Sequence, residues 1–224
     1  MTTESTVHRH GLQPISATAY YDAFNAQAEG AFAKHVIRET RDNGHRYALY
    51  SRNTDGGWEA NFCAEIIVIR GGLFVGGDSP DCIFRWFSDS RDAKAHIQWI
   101  GGHPKTDSYV AGKARIGMGH EITEAVEPAV LLYDLKREID DYRRDNDEAM
   151  PIKRRRTIDQ AMGAVARCDE DMSTILRRLS EAHEDNNGEF ISRLGRVPNP
   201  RVFFAHAAVR RLWCLICACE PVSA

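Results

Sequence analysis

A chain of 224 residues with 43% apolar and 27% charged side chains can bury a full core, which excludes wholesale disorder. Lys and Arg total 29 against 32 Asp and Glu, a formal net charge of −3. That balance excludes a binder held to nucleic acid by a general basic excess, and it leaves a local basic patch open.

In chain order, residues 1–14 are polar and read as loose. Tyr21, Phe24, Ala28, Phe32 and His35/Val36 recur at near-helical spacing and predict a helix from about Thr18 to Arg41, capped by Ser16 or Thr18. Asn43-Gly44 is a stop signal. Tyr47–Tyr50 reads as a strand, and residues 53–57 as a turn. Phe62–Ile69 is a β-branched run, Gly71-Gly72 breaks it, and Leu73–Val75 resumes it, which is a hairpin signal. Residues 76–81 form a second turn before a strand at Cys82–Phe87. These elements predict an antiparallel meander of about four strands over residues 47–87, covered by the N-terminal helix and a C-terminal helical half.

A short helix is expected at Ser90–Ile100, opened by Ser88 or Ser90 and closed by Gly101-Gly102. Another is expected around Tyr109–Arg115. From Glu127 the pattern turns helical, with Pro128 in the first turn and Leu132, Leu135, Ile139 and Tyr142 on one stripe. Ile152–Arg167 predicts a helix burying Ile158, Met162 and Val165. Residues 170–182 continue with Met172, Ile175, Leu176 and Leu179, and Asn186-Asn187-Gly188 breaks the chain. The last helix starts with Asn199 as cap and Pro200 at its first position, and runs to about Cys219. The fold class expected is α+β, a single unit over residues 1–224. Its β-containing part spans about 15–126 and its helical part about 127–220.

No secretory signal is visible in residues 1–30. The window Val202–Cys219 is apolar except for His206, Arg210 and Arg211, and the adjacent arginines argue for a buried helix over a membrane span. Cys63, Cys82, Cys168, Cys214, Cys217 and Cys219 are expected as reduced thiols. Cys214, Cys217 and Cys219 have no complementary ligand pair, so small apolar residues in a packed helix explain them better than a metal site. Gly71-Gly72 and Gly76-Gly77-Asp78 lack the lysine and the following helix of a phosphate loop, and serve as turn glycines. His96, His103 and His120, with Asp89, Asp92, Asp107 and Glu121 nearby in sequence, are the raw material for a metal or acid–base site, without metal-ligand spacing. His206 reads as a satisfied core histidine, and His8 and His10 fall in the loose start.

The densest charge lies over residues 136–156, with eight basic and six acidic side chains. Lys153, Arg154, Arg155 and Arg156 form the basic run, with Arg143 and Arg144 upstream. Such a run can dock on an acidic partner or on phosphates. A helix spreads consecutive residues by about 100° each, so the four cannot share one target.

Trp58 to Gly119 carries Ile66-Ile67-Val68-Ile69-Arg70-Gly71-Gly72-Leu73-Phe74-Val75-Gly76-Gly77-Asp78, then Ile83-Phe84-Arg85, then Tyr109-Val110-Ala111-Gly112-Lys113. This block resembles a group of uncharacterised bacteriophage and prophage accessory proteins that share a Gly-Gly-Leu…Gly-Asp meander and a Tyr-x-x-x-Lys element. Leu212-Trp213-Cys214 resembles the tryptophan-bearing C-terminal helix of some members. Ser79-Pro80 departs from the glycine that the group tends to place there. The resemblance implies an accessory gene of a phage or mobile element, acting in the cytoplasm of a host bacterium. Small accessory genes of that kind often encode inhibitors of host defences, including anti-CRISPR proteins, which usually cover a surface on a host complex without chemistry.

The leading expectation is therefore a non-enzymatic binder of a host protein or ribonucleoprotein complex. It would use the charged helical half, with Lys153, Arg154, Arg155, Arg156, Arg143 and Arg144 as binding residues and no cofactor or metal. The alternatives are a nucleic-acid-binding module on the same basic turn, and a metal-dependent hydrolase using His96, His103 or His120. Oligomeric state is left open.

Overall fold

The computed structural model describes residues 12–52, 57–78, 81–85, 92–116, 124–146, 149–183 and 189–219. Helix α1, Ala17–Phe32, opens on Ser16, whose Oγ accepts from the Ala19 N–H at 3.1 Å. It stops well before the expected Arg41, because strand β1, His35–Arg41, follows. Val36, Ile37 and Thr40 are β-branched and stiff, so they fit a pleated strand better than one more helical turn. The tight turn after β1 carries positive φ at Asp42, Asn43 and Gly44, a conformation that Asn, Asp and Gly tolerate.

Strand β2, Arg46–Arg52, pairs with β1 and with β3, Trp58–Ile69. Gly71, at φ +71°, turns the chain into β4, Gly72–Gly77, and β5, Cys82–Arg85, follows. The expected continuation of β5 through Trp86-Phe87, and the turn residues Ser79-Pro80, lie outside the described residues. So do residues 53–56 of the first expected turn.

Helix α2, Ala93–Gly101, is capped by Asp92, whose Oδ1 accepts from the Lys94 N–H at 3.0 Å. Ser88 and Ser90, the expected caps, lie outside the described residues. Asp107 caps α3, Ser108–Lys113, by accepting from the Val110 N–H at 2.9 Å. The expected helix to Arg115 is cut short by strand β6, Ala114–Ile116, which pairs with β5. Three residues are too few to display a period-2 pattern, so nothing local announces β6. The main sheet is thus six-stranded and antiparallel, ordered β1-β2-β3-β4-β5-β6, where about four strands were expected. The two additional strands are β1, hidden in the helix-like tail of α1, and the short β6.

Beyond it come β7, Glu124–Val126; α4, Pro128–Asp145; α5, Ile152–Arg167; α6, Met172–His183; α7, Glu189–Arg193; β8, Arg196–Pro198; and α8, Pro200–Cys219. The signals at Pro128, Ile152, Asn199 and Pro200 hold: Glu127 accepts from the Ala129 N–H, and Asn199 Oδ1 accepts from the Arg201 N–H at 3.0 Å. Strands β7 and β8 pair in a separate two-stranded sheet, so the segment after residue 127 is not wholly helical. Asn186-Asn187-Gly188 lies outside the described residues.

The chain forms two compact units. One comprises residues 12–20 and Ala125–Val197. Its core gathers Leu131, Leu135 and Ile139 of α4, Ile158 and Val165 of α5, and Ile175 and Leu179 of α6. Each such side chain contributes roughly 1.5–3 kcal/mol by leaving water. The other comprises Tyr21–Glu124 with residues 198–219. In it, Leu49, Ile66, Leu73, Val75, Phe84 and Ile116 point to one face of the main sheet and are fully buried. Helices α2 and α8 contact that sheet, and α1 packs on α8 through Tyr21 and Phe24, whose rings lie 5.5 and 5.6 Å from Phe203. The C-terminal helical half is therefore divided: α8 belongs with the sheet, while α4 to α7 build a core of their own.

Candidate binding surfaces

The basic run sits in the first turn of α5, and its members have different fates. Arg154 is half-buried: it pairs with Glu138 of α4, stands 5.4 Å from the Tyr142 ring centroid, and donates from Nε toward His183 Nε2 at 3.2 Å. It is a packing residue that ties α4, α5 and α6. Arg155 is held by Asp159 at 3.0 Å, an i,i+4 pair on one helix face. Arg144 is shared between Asp141 at 2.9 Å and Asp145 at 3.2 Å. Arg143, Lys153 and Arg156 are exposed, and no ion pair engages them among the described residues.

The same self-neutralisation runs through this unit. Arg137 meets Asp141, Arg167 meets Asp169, Arg177 meets Glu181, and Arg178 meets Glu170. Exposed pairs of this kind contribute only about 0.2–1 kcal/mol each. Their main effect is to cancel the opposing charge blocks locally. Asp171 is occupied too. It accepts from Ser173 Oγ and from the Thr174 N–H and hydroxyl at the start of α6, and these hydrogen bonds hold its carboxyl well below the usual carboxylate range.

Next to the free cations lies an apolar feature that the sequence reading missed. Ile152 is 87% exposed, by far the most exposed large apolar side chain described. With Met150, Arg155, Arg156, Asp159 and Gln160 it lines a groove of about 560 Å³. An isoleucine at the first position of a helix leaves no periodic trace, which is why residue pattern alone did not single it out.

The sheet unit carries a second groove, of about 610 Å³, lined by Trp99, His103, Pro104 and Trp213 among others. Trp99, His103 and Tyr109 form a ring cluster with centroids 5.4–6.3 Å apart, and Lys113 Nζ stands 5.1 Å from the Tyr109 centroid. His103 is thus a surface aromatic here, while His96 is buried in α2. His120, the third histidine of the expected trio, lies outside the described residues, as do Asp89 and Glu121. Asp92 and Asp107 are helix caps. Among the described residues no group of three or more His, Cys, Asp or Glu side chains is arranged to hold a metal ion.

His206 is the core histidine expected. Its Nε2 donates to the Ile100 carbonyl at 3.0 Å, and Nδ1 lies 2.9 Å from the Thr106 hydroxyl, which donates to it. Thr106 is fixed in turn by Asn25, which accepts from the Thr106 N–H at 2.8 Å and donates to its carbonyl at 3.0 Å. Burial pushes the imidazole down to about 4, so the ring is neutral near pH 7.

The cysteines divide by depth. Burial pushes the Cys82 thiol up to about 12, which makes it inert. Cys214 and Cys217 are exposed free thiols. The packed-helix explanation for them therefore fails beyond Leu212, where α8 emerges from the core. The Cys219 side chain lies outside the described residues. Gly77, at φ +105°, sits against the Cys63 carbonyl, so it serves strand geometry and not a phosphate. No helix among the described residues is long and apolar enough to cross a membrane.

Comparison with protein-family models, with curated proteins and with solved structures finds no match.

Proposed function

We propose that this protein is a non-catalytic accessory protein of the phage or mobile-element type that docks on a host protein or ribonucleoprotein complex. The contact is made at the start of α5. The observation that carries this reading is the position of Ile152: it stands almost fully exposed at the lip of a groove that Arg155 and Arg156 also line. An apolar side chain beside the uncompensated Lys153 and Arg156 is the composition of an interface anchor with a charged rim. The matching partner surface is acidic around an apolar depression. A counter-defence role in a host bacterium follows from the resemblance of residues 58–119 to phage accessory proteins.

The binding set narrows accordingly to Ile152, Lys153 and Arg156, with Arg143 as an outlying cation. Arg154 and Arg144 are committed to pairs inside the unit. The test is capture from host lysate with wild-type protein and with an Ile152→Asp, Lys153→Glu, Arg156→Glu variant. These positions are exposed, so the variant should keep its melting behaviour and lose whatever co-purifies with wild type. An unchanged co-purifying set would remove this surface.

A further inference from the structure

The main sheet has a second face. On it, one register level crosses all six strands: Arg41 lies opposite Arg46, Arg46 opposite Ile67, Ile67 opposite Phe74, Phe74 opposite Ile83, and Ile83 opposite Arg115. Residues directly opposite in antiparallel strands share a face, so this is a row with an apolar centre and arginines at both ends. Ile67, Phe74 and Ile83 are half-buried, while Ile66, Leu73, Val75, Cys82 and Phe84 beside them on the other face are sealed. Adjacent strands are about 4.8 Å apart, so the row is about 24 Å long.

A second aromatic group stands on the same side. Tyr50 and Trp58 meet edge to face with centroids 6.1 Å apart. The Arg38 guanidinium lies over both rings, 4.7 Å and 5.3 Å from their centroids. Arg38 is exposed, and Trp58 is 37% exposed, so neither ring system is closed off from solvent.

Two carboxylates of this face are neutralised by its own arginines. Glu39 is taken by Arg41 at 2.7 Å, and Glu65 by Arg46 at 2.5 Å. Arg38, Arg85 and Arg115 have no carboxylate partner among the described residues. The Arg115 Nη1 donates to the Gly112 and Ala114 carbonyls, which fixes the guanidinium in place. The opposing groups lie at the other end of β4 from Arg85: Asp81, whose carboxylate lies over Gly76, and Asp78, whose Oδ2 accepts from the Cys63 N–H at 2.7 Å.

We propose that this open sheet face binds single-stranded nucleic acid. Unpaired bases stack on Phe74, Tyr50 and Trp58, and phosphates meet Arg38, Arg85 and Arg115. Aromatic rings on an antiparallel sheet stack on bases of any sequence, and guanidinium groups neutralise the backbone beside them. A duplex buries its base faces in its own stack and offers these rings nothing. Asp81 repels phosphate and steers the strand along the arginine-ended row. The row has room for a few nucleotides, at the low end of the about 4–16 of known sheet-based single-strand binders. This surface is separate from the one at the start of α5 and does not depend on it.

The test is fluorescence polarisation of the full-length protein with fluorescein-labelled oligo(dT) and oligo(U), each about a dozen nucleotides, and a duplex of equal length. Single-stranded probes should bind and the duplex should not; the DNA and RNA probes separate the two sources of the same chemistry. Tyr50→Ser with Phe74→Leu should weaken binding about tenfold or more, because it removes stacking rings. Arg38→Gln with Arg115→Gln should make the salt dependence shallower by about 0.7 per arginine in the log–log slope. Both arginines are exposed, so this second pair still decides if the aromatic pair does not fold. Absence of binding to either single strand at low salt would overturn the proposal. So would binding kept by the variants, equal binding of the duplex, or a protein ligand as the sole occupant of the face. Loss of probe binding in Lys153→Glu with Arg156→Glu alone would assign the nucleic acid to α5 and also overturn it.

Discussion

His206 shows how one residue sets a condition on stability. Both of its ring nitrogens are engaged by partners fixed elsewhere, and burial keeps it neutral. In the unfolded chain it protonates near its ordinary 6.5, whereas the folded chain resists until about 4. The unfolded state therefore binds more protons in that window, and folding becomes less favourable as pH falls through it. The stability this group supplies is complete above about pH 6.5 and declines toward pH 4. Denaturant melts at steps across that range should show the decline, and His206→Gln should flatten it. A wild-type curve without slope between those values would contradict the buried neutral ring. Arg154 makes a related point about charge. Glu138 and the Tyr142 face hold it inside the unit, so it belongs to structure although its neighbours Lys153 and Arg156 belong to the surface.

Among the elements, α2 and α8 approach each other closely at Gly101. A Cβ placed on Gly101 would lie 2.7 Å from the Trp213 Cβ and 2.9 Å from the Val209 carbonyl oxygen. The helices approach this closely because Gly101 presents no side chain. Gly101→Ala forces them apart, and overpacking of this kind costs about 1–3 kcal/mol. Equilibrium unfolding should show that loss in the sheet unit, together with a changed emission from Trp213. If Gly101→Ala is as stable as wild type, the close approach is wrong. The arrangement also explains the division of α8. Most of its residues from Val202 to Leu212 are buried, and beyond them Cys214 and Cys217 are open to solvent.

For the whole molecule, the decisive fact is that the segment 127–195 leaves the chain and returns at one place, although its unit also includes residues 12–20. The Glu127 N–H donates to the Gly195 carbonyl at 2.9 Å, and β7 pairs with β8 beside that bond. The ends of the excursion therefore meet, as in an insertion whose removal leaves the host chain closable. A chain of residues 17–126 joined to 196–219 through a short Gly-Ser turn should fold by itself with a cooperative thermal transition. A non-cooperative melt would show that the sheet unit needs the helical one. Net charge is also decided at this scale. The −3 total conceals dense opposing blocks, and the ion pairs of α4, α5 and α6 cancel part of them in place.

Several features follow from the sequence alone. The α+β class, the start of α4 at Pro128, the capping of α8, the span of α5, the β2–β5 hairpins and the role of His206 are all set by local pattern, since caps, turn glycines and apolar periodicity act over a few residues. Other features needed the tertiary structure. Strand β1 looked helical because Phe32, His35 and Val36 continue a 3.6 spacing, and only pairing with β2 overrides it. Strand β6 exists only because β5 offers an edge. The candidate surfaces divide in the same way. Charge density drew attention to residues 143–156, but which cations are free depends on carboxylates that the fold brings to them. The open sheet face was not legible at all: Arg41, Arg46, Ile67, Phe74, Ile83 and Arg115 are scattered through the chain, and strand register alone places them in one row.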